Sequence, residues 1–323
     1  MGMKKRIERV SVGILFICLL TISACRGADF HSTKSIERKT YKFGATYMQM
    51  NNPYFQDMNA HLEELVEVNG DVLICRDPSQ DQEKQNQQIE EMIDEGVDGI
   101  FLNPVNYETV KPALLACKEA GIPVFCIDTK VYDEQYVAFC VLSDNYDAGV
   151  QCAKDMMKKK DSAKIVILDS PRTYSIQQRV QGFEDTIAGN DNYQVVTKEV
   201  GNGELEVSME KMNQIIATGQ EFDVALGGND PTALGILAAL QMNQMQDDGV
   251  LIYGIDGSPD GKLMINEGYF EGSSAQRPLE MAEIAVDMAY DYLEGKKTDS
   301  LVIVPVTLIT LDNIDEFDMA GWQ

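Results

Sequence analysis

The chain has 323 residues, 44% of them hydrophobic and 24% charged, a balance suited to a soluble protein of two domains and unlike that of a disordered or fibrous one. Its 27 Lys and Arg stand against 52 Asp and Glu, a net charge of −25. That excess argues against nucleic acid or an anionic lipid surface as a partner of the folded body, since both need a basic face.

The first 25 residues differ in kind. Lys4, Lys5, Arg6 and Arg9 precede a short apolar run over 10–22, too short for a spanning helix and right for a signal peptide. Ile22-Ser23-Ala24-Cys25 resembles a bacterial lipobox. Residues 1–24 are therefore read as a cleaved signal, Cys25 as the lipidated residue and 25–40 as a polar tether. The expectation is an exported protein, held by its lipid at the outer face of the cell membrane or in the periplasm. Cys75, Cys117, Cys126, Cys140 and Cys152 remain in the body, and Cys75, Cys126 and Cys140 fall in apolar runs where free thiols pack as small hydrophobes. No Cys-x-x-Cys or Cys/His cluster suggests a metal site, and no cofactor is expected.

From residue 41 short apolar runs alternate with helical periodicity. Strands are predicted over 41–48, 71–76, 99–102, 124–127 and 137–142, with helices near 53–68, 80–94 and 107–120. Gly70, Gly96 and Gly121 each fall just past a helical segment, where a C-terminal glycine belongs. A second series follows, with helices near 146–159, 176–188, 204–218, 231–242 and 260–266 and strands over 164–168, 194–199, 223–226 and 250–254. Residues 271–275 look like a crossing segment, 279–293 a long amphipathic helix and 301–309 a last strand. Repeated βα order predicts an α/β fold of two doubly wound, Rossmann-like lobes. Lobes that exchange segments and a continuous two-domain split both fit this order.

Open α/β sheets bind ligands at the carboxyl ends of their strands. At those positions lie Asn52, Tyr54 and Phe55, then Asn103, Asp128, Asn229 and Asp256, with Arg179 on a following helix and Gln276 ending the crossing segment. Amides and carboxylates there can pair with hydroxyls, and aromatic faces suit the C–H face of a polyol ring. Each has a duller explanation, such as helix capping by Asn52, Asp128, Asn229 or Asp256 and a turn at Asn103-Pro104. Catalytic motifs are missing: there is no His-Glu-x-x-His, Gly-x-Ser-x-Gly or Gly-x-Gly-x-x-Gly, and 257–262 is one residue short of a phosphate loop. Asp128 and Asp256 could be imagined as the flanking acids of an exported carbohydrate-active enzyme, but only their presence supports that.

The same residues carry a family resemblance. Asn51-Asn52-Pro53-Tyr54-Phe55, Leu102-Asn103-Pro104, Ile127-Asp128, the run 178–183 (Gln-Arg-Val-Gln-Gly-Phe), the glycine-bounded segments 227–235 and 254–261, and Ala275-Gln276-Arg277-Pro278 resemble the ribose-type sugar-binding proteins of bacterial ABC importers, of the type 1 periplasmic binding protein fold. The resemblance runs from about residue 41 to the end of the chain. It implies two lobes joined by three crossings, near 142–145, 274–276 and 302–304, with 41–143 and 277–303 in the N-terminal lobe and 144–276 and 304–323 in the C-terminal lobe. Tyr54 and Phe55 would stack on a sugar ring, Asn52, Asn103 and Asp128 would bond its hydroxyls, Arg179, Asn229 and Asp256 would close from the second lobe, and Gln276 would act at the hinge. The implied partners are a monosaccharide or similar polyol and an ABC permease. A receptor that presents the bound sugar to a membrane kinase or chemoreceptor is the alternative. Two departures alter the expected ligand: Thr129 stands where the ribose-type pattern has an arginine, and the segment 201–205 lacks an aromatic residue.

Overall fold

The structure, a computed structural model, describes residues 39–323. The signal segment 1–24, Cys25 and most of the tether lie outside the described residues. The chain opens with β1 (Lys42–Thr46), α1 (Pro53–Val68), β2 (Val72–Arg76), α2 (Gln82–Asp94), β3 (Gly99–Leu102), α3 (Lys111–Ala120), β4 (Val124–Asp128) and β5 (Phe139–Ser143). These strands, joined late by β11 (Leu301–Val304), form one parallel sheet in the order β11-β5-β4-β3-β1-β2. The second sheet takes β6 (Ala163–Asp169), β7 (Tyr193–Val200), β8 (Val224–Gly227), β9 (Leu251–Asp256), β10 (Gly272–Ala275) and β12 (Thr307–Ile309), in the order β12-β10-β9-β8-β6-β7. Only β12 among these runs antiparallel, against β10.

Both sheets are covered on two faces, which is why their strands are continuous apolar runs. Phe43, Phe101, Phe125 and Phe139 pack under α1 and α9 (Pro278–Leu293) on one face of the first sheet, and Ile100, Leu102 and Cys126 pack against α2 and α3 on the other. In the second sheet Ile165 and Ile167 lie under α4 (Asn145–Lys159) and α5 (Tyr174–Ile187). Val166 and Leu168 face α6 (Leu205–Ala217) and α7 (Asp230–Met242). Cys75, Cys117, Cys126, Cys140 and Cys152 are free thiols.

Three predicted elements change shape. The run 301–309 is two strands rather than one: β11 pairs with β5 in the first sheet, and β12 pairs with β10 in the second. Pro305 lies between them and cannot donate to a ladder. The helix predicted from 107 begins at Lys111, because Asn106 turns 107–109 by accepting from the Glu108 and Thr109 amides and Tyr107 N donates to Arg172 O. Residues 272–275 form an interior strand, and the chain leaves the second sheet just after it, at Gln276-Arg277.

One packing contact positions the site. A Cβ on Gly149 of α4 would sit 1.8 Å from the Arg179 carbonyl oxygen, and one on Gly182 of α5 would sit 2.0 Å from the Tyr146 carbonyl oxygen. These helices meet backbone to backbone, and the contact sets Arg179 beside the start of α4. Gly149→Ala or Gly182→Ala forces them apart at a cost of about 3 kcal/mol or more. The expected drop in thermal midpoint is about 6–12 °C for a domain of this size, read by calorimetry, with ligand binding lost alongside it. A midpoint within a degree of the parent would refute the contact.

Candidate functional site

The carboxyl ends of both sheets converge on a cavity lined from the two sides. Met48, Gln49, Asn52, Tyr54, Phe55 and Asp128 come from the first lobe, and Thr173, Ser175, Ile176, Arg179, Gly203, Asn229 and Asp256 from the second, with Gln276 at the crossing. Its volume is about 30 Å³. That holds only a water or two, so a ring ligand requires the lobes to part.

Two of the expected site residues are helix caps as well. Asn52 caps α1, its Oδ1 accepting from Tyr54 N at 3.0 Å, with Pro53 in the first turn where its missing N–H costs nothing. Asn229 caps α7, accepting from Thr232 N and donating to Gly203 O at 3.1 Å. Asp128 and Asp256 do not cap. They end β4 and β9 with φ of 69° and 153°, backbone that L residues seldom adopt, and this turns each carboxylate into the cleft.

A chain of hydrogen bonds joins these acids across the lobes. The Tyr54 hydroxyl, with one proton to give, donates to Asp128 Oδ1 at 3.0 Å or to Gln276 Oε1 at 3.3 Å. Gln276 Nε2 donates to Asp256 Oδ1 at 2.7 Å. Arg179 Nη1 stands 3.6 Å from that same oxygen, while Nε donates to Asn145 Oδ1 and Nη1 to Gly228 O. Asn103 is fully buried and does not line the cavity: its amide accepts from Met48 N and donates to Asp128 Oδ2 at 2.8 Å, so it orients the acid. Tyr54 stands edge-on to both Phe55 and Trp322, and Phe55 rests against Tyr47.

Sequence reading missed Gln49, Thr173 and Ser175 on the cavity wall and Asn145 behind Arg179. None carries a motif, and only the Asn at the first position of a helix marked Asn145 as a polar group near a strand end. Thr129 is buried and used at the seam, its Oγ1 accepting from Ser175 N of the opposite lobe at 3.1 Å. Gly203 has φ of 76°, and a Cβ there would press on Asn229 and Ile176, so this backbone resists the missing aromatic residue. Outside the cavity, Arg172 Nη2 donates to Gln80 Oε1, and Lys130 lies over the Tyr174 ring, two further contacts that hold the lobes together.

Burial raises the carboxyl of Asp128 above its usual range, against the pull of Arg179 and the bonds from Tyr54 and Asn103. Asp256 is pushed up to about 8: burial dominates, Asp230 and Asp128 add to it, and Arg179 opposes it. An ion pair would ordinarily hold a carboxylate low, but at 3.6 Å the guanidinium is too far to outweigh full burial and two acid neighbours. Asp230 is raised by burial too, resisted chiefly by its bonds from Ser273 and Ser258.

The raised acid makes stability depend on pH. Between about pH 4 and about pH 8 the folded chain holds the Asp256 proton that the unfolded chain has released, so stability falls as pH rises through that window. Asp256→Asn, which mimics the protonated acid, is expected to flatten this slope and raise the midpoint at pH 8 by about 2–4 °C, or about 1 kcal/mol. Thermal melts from pH 5 to 9 check it; parallel slopes for the two proteins would contradict the assignment.

With this geometry in hand, comparison with known proteins identifies the family. The chain belongs to the periplasmic binding protein domain family, whose model matches residues 43–297. It is a family of binding proteins, not of hydrolases. The chain is 28% identical to the ribose import binding protein RbsB of Bacillus subtilis strain 168, over 94% of this chain and 99% of that one. It is 29% identical to a xylitol-binding protein of Mycolicibacterium smegmatis, over 92% and 83%. The crystal structure of a Caulobacter myo-inositol binding protein bound to myo-inositol shares the fold at a TM-score of 0.81 and 22% identity, covering 86% of this chain and 96% of that one.

Proposed function

We propose that this periplasmic binding protein is an extracytoplasmic lipoprotein that captures a monosaccharide or similar polyol between its lobes and delivers it to an ABC transporter. The observation that carries the reading is the buried chain from Asp128 through Tyr54 and Gln276 to Asp256 and Arg179, contributed by both lobes around one cavity. Hydroxyls are the ligand groups that both give and accept hydrogen bonds, and a cleft lined by carboxylates, amides and a guanidinium offers both. The two curated relatives are named for ribose and xylitol, and the similar crystal structure holds myo-inositol, all small polyhydroxylated molecules.

Residues on opposite lobes meet a ligand together only when the lobes close, so binding shifts the population toward the closed form that a permease can sense. Tyr54, Gln49, Asn52 and Asp128 would hold the ligand from the first lobe, and Arg179, Asn229 and Asp256 from the second. Anchoring rests on the Ile22-Ser23-Ala24-Cys25 pattern after a basic and apolar leader.

A thermal-shift panel of pentoses, hexoses, inositols and linear polyols on the purified chain tests the binding. A selective ligand at 100 times its Kd stabilises by about 2.7 kcal/mol, a rise of roughly 5–10 °C for a domain of this size. Arg179→Ala should abolish the shift, and a panel silent throughout on folded protein would sink the reading. For the anchor, a labelled fatty acid should enter the wild-type protein and not Cys25→Ser; equal labelling of the two would remove Cys25 from the account.

A further inference from the structure

Charge inside the cleft is unbalanced. Asp128 and Asp256 line the cavity with Arg179 as the cation among its described lining residues, and Asp230 lies fully buried behind Asp256, its N–H pointing to Asp256 Oδ2 at 3.4 Å. Asp230 is served by neutral donors: Ser258 N, Ser258 Oγ and Ser273 Oγ. Arg179 is pinned to Asn145 and the Gly228 carbonyl on the Asp256 side. Asp128 receives the Tyr54 hydroxyl and the Asn103 amide, and no cation among the described residues touches it. The next residue, Thr129, is neutral and already bonded to the other lobe. Lys130 points away, paired with Glu134 over the Tyr174 ring.

A second feature faces the same space. Gln49 is 6% exposed, lines the cavity and makes no side-chain hydrogen bond to any described residue. Its amide opens on the cavity with a donor and an acceptor that the protein leaves unused, and a ligand hydroxyl can take both. A buried carboxylate without a cation is costlier still, unless it is protonated or a positive group is brought to it.

We propose that the ligand of this cleft is a sugar or cyclic polyol bearing a protonated amine, its ammonium seated between Asp128 and Asp256 and its hydroxyls on Gln49, Asn52 and Arg179. This rests on the cleft being a polyol-binding site, and it narrows the class. With the ammonium beside it Asp256 can give up the proton that burial holds on it, and two carboxylates facing the cavity then meet two cations. A neutral sugar leaves the acids to one guanidinium, which approaches Asp256 at 3.6 Å and acts on Asp128 only from farther off.

The test is isothermal calorimetry on the purified chain with matched pairs: D-glucose and D-glucosamine, D-galactose and D-galactosamine, myo-inositol and a monoamino-inositol, with N-acetyl-D-glucosamine as the uncharged amide. In at least one pair the amine should bind tenfold or more tighter than its parent, and acetylation should erase the gain. Asp128→Asn should bring amine and parent within about threefold; Asn can keep its oxygen on Asn103 and turn its amine to the Tyr54 oxygen. Parents binding as tightly as their amines in every pair would overturn the amine while leaving the sugar-binding reading intact. Silence from parents and amines alike on folded protein would overturn both. The wild-type comparison stands without the variant.

Discussion

Two buried carboxylates, one from each lobe, are held at the ends of one hydrogen-bonded chain, and the rest of the molecule is arranged to keep them there. Asp128 is fixed by Asn103 and Tyr54, Asp256 by Gln276 and Arg179, and Gln276 joins the two halves where the chain crosses between sheets. In a low-dielectric interior such a network is strong when complete and costly when one member is lost. That is why the supports reach well beyond the cavity. Arg179 needs Asn145, Asn145 needs the start of α4 in place, and α4 sits there because Gly149 and Gly182 let two helix backbones touch.

The lobes are related in logic as well as in topology. Each is a sheet covered on both faces, with its acid on the last residue of an interior strand in a backbone conformation that favours glycine. Keeping aspartate there costs of order 1–3 kcal/mol, which the surrounding structure has to support. The C-terminal segment adds a link of its own. Lys262 of α8 (Pro259–Asn266) binds the carbonyls of Asp318 and Gly321, and Trp322 then reaches the first lobe, bonding Asp57 and standing against the Tyr54 ring. A residue whose hydroxyl lies in the network thus has its ring against a segment rooted in the opposite lobe.

Much of this is legible in the sequence alone. Apolar runs alternating with helical periods and stopped by glycine gave the layered α/β halves, since those patterns follow from local sterics and burial. Asn52-Pro53 and Asn229 announced helix starts at strand ends, and both are caps that also face the cavity. What was not legible depends on the other lobe or on distant partners. Asn103 looked like a ligand group but is spent on Asp128, and Gln49, which no motif marks, is left free in the cavity wall. Pro305 divides one apolar run between two sheets, a choice made by the partners β5 and β10. Thr129 was noticed as a missing arginine; its use as an acceptor for Ser175 N could be found only once the lobes were side by side.

Trp322 is the chain's single tryptophan, and its ring packs on Tyr54 at 5.3 Å. Its emission therefore reports on the hydrogen-bonded network beside the cavity. The most direct test is a fluorescence titration of the purified chain with D-ribose, xylitol, myo-inositol and D-glucosamine, repeated on Arg179→Ala. The account predicts a saturable one-to-one change with at least one of them, absent in the variant. Flat emission with all four, or the same change in Arg179→Ala, would contradict it.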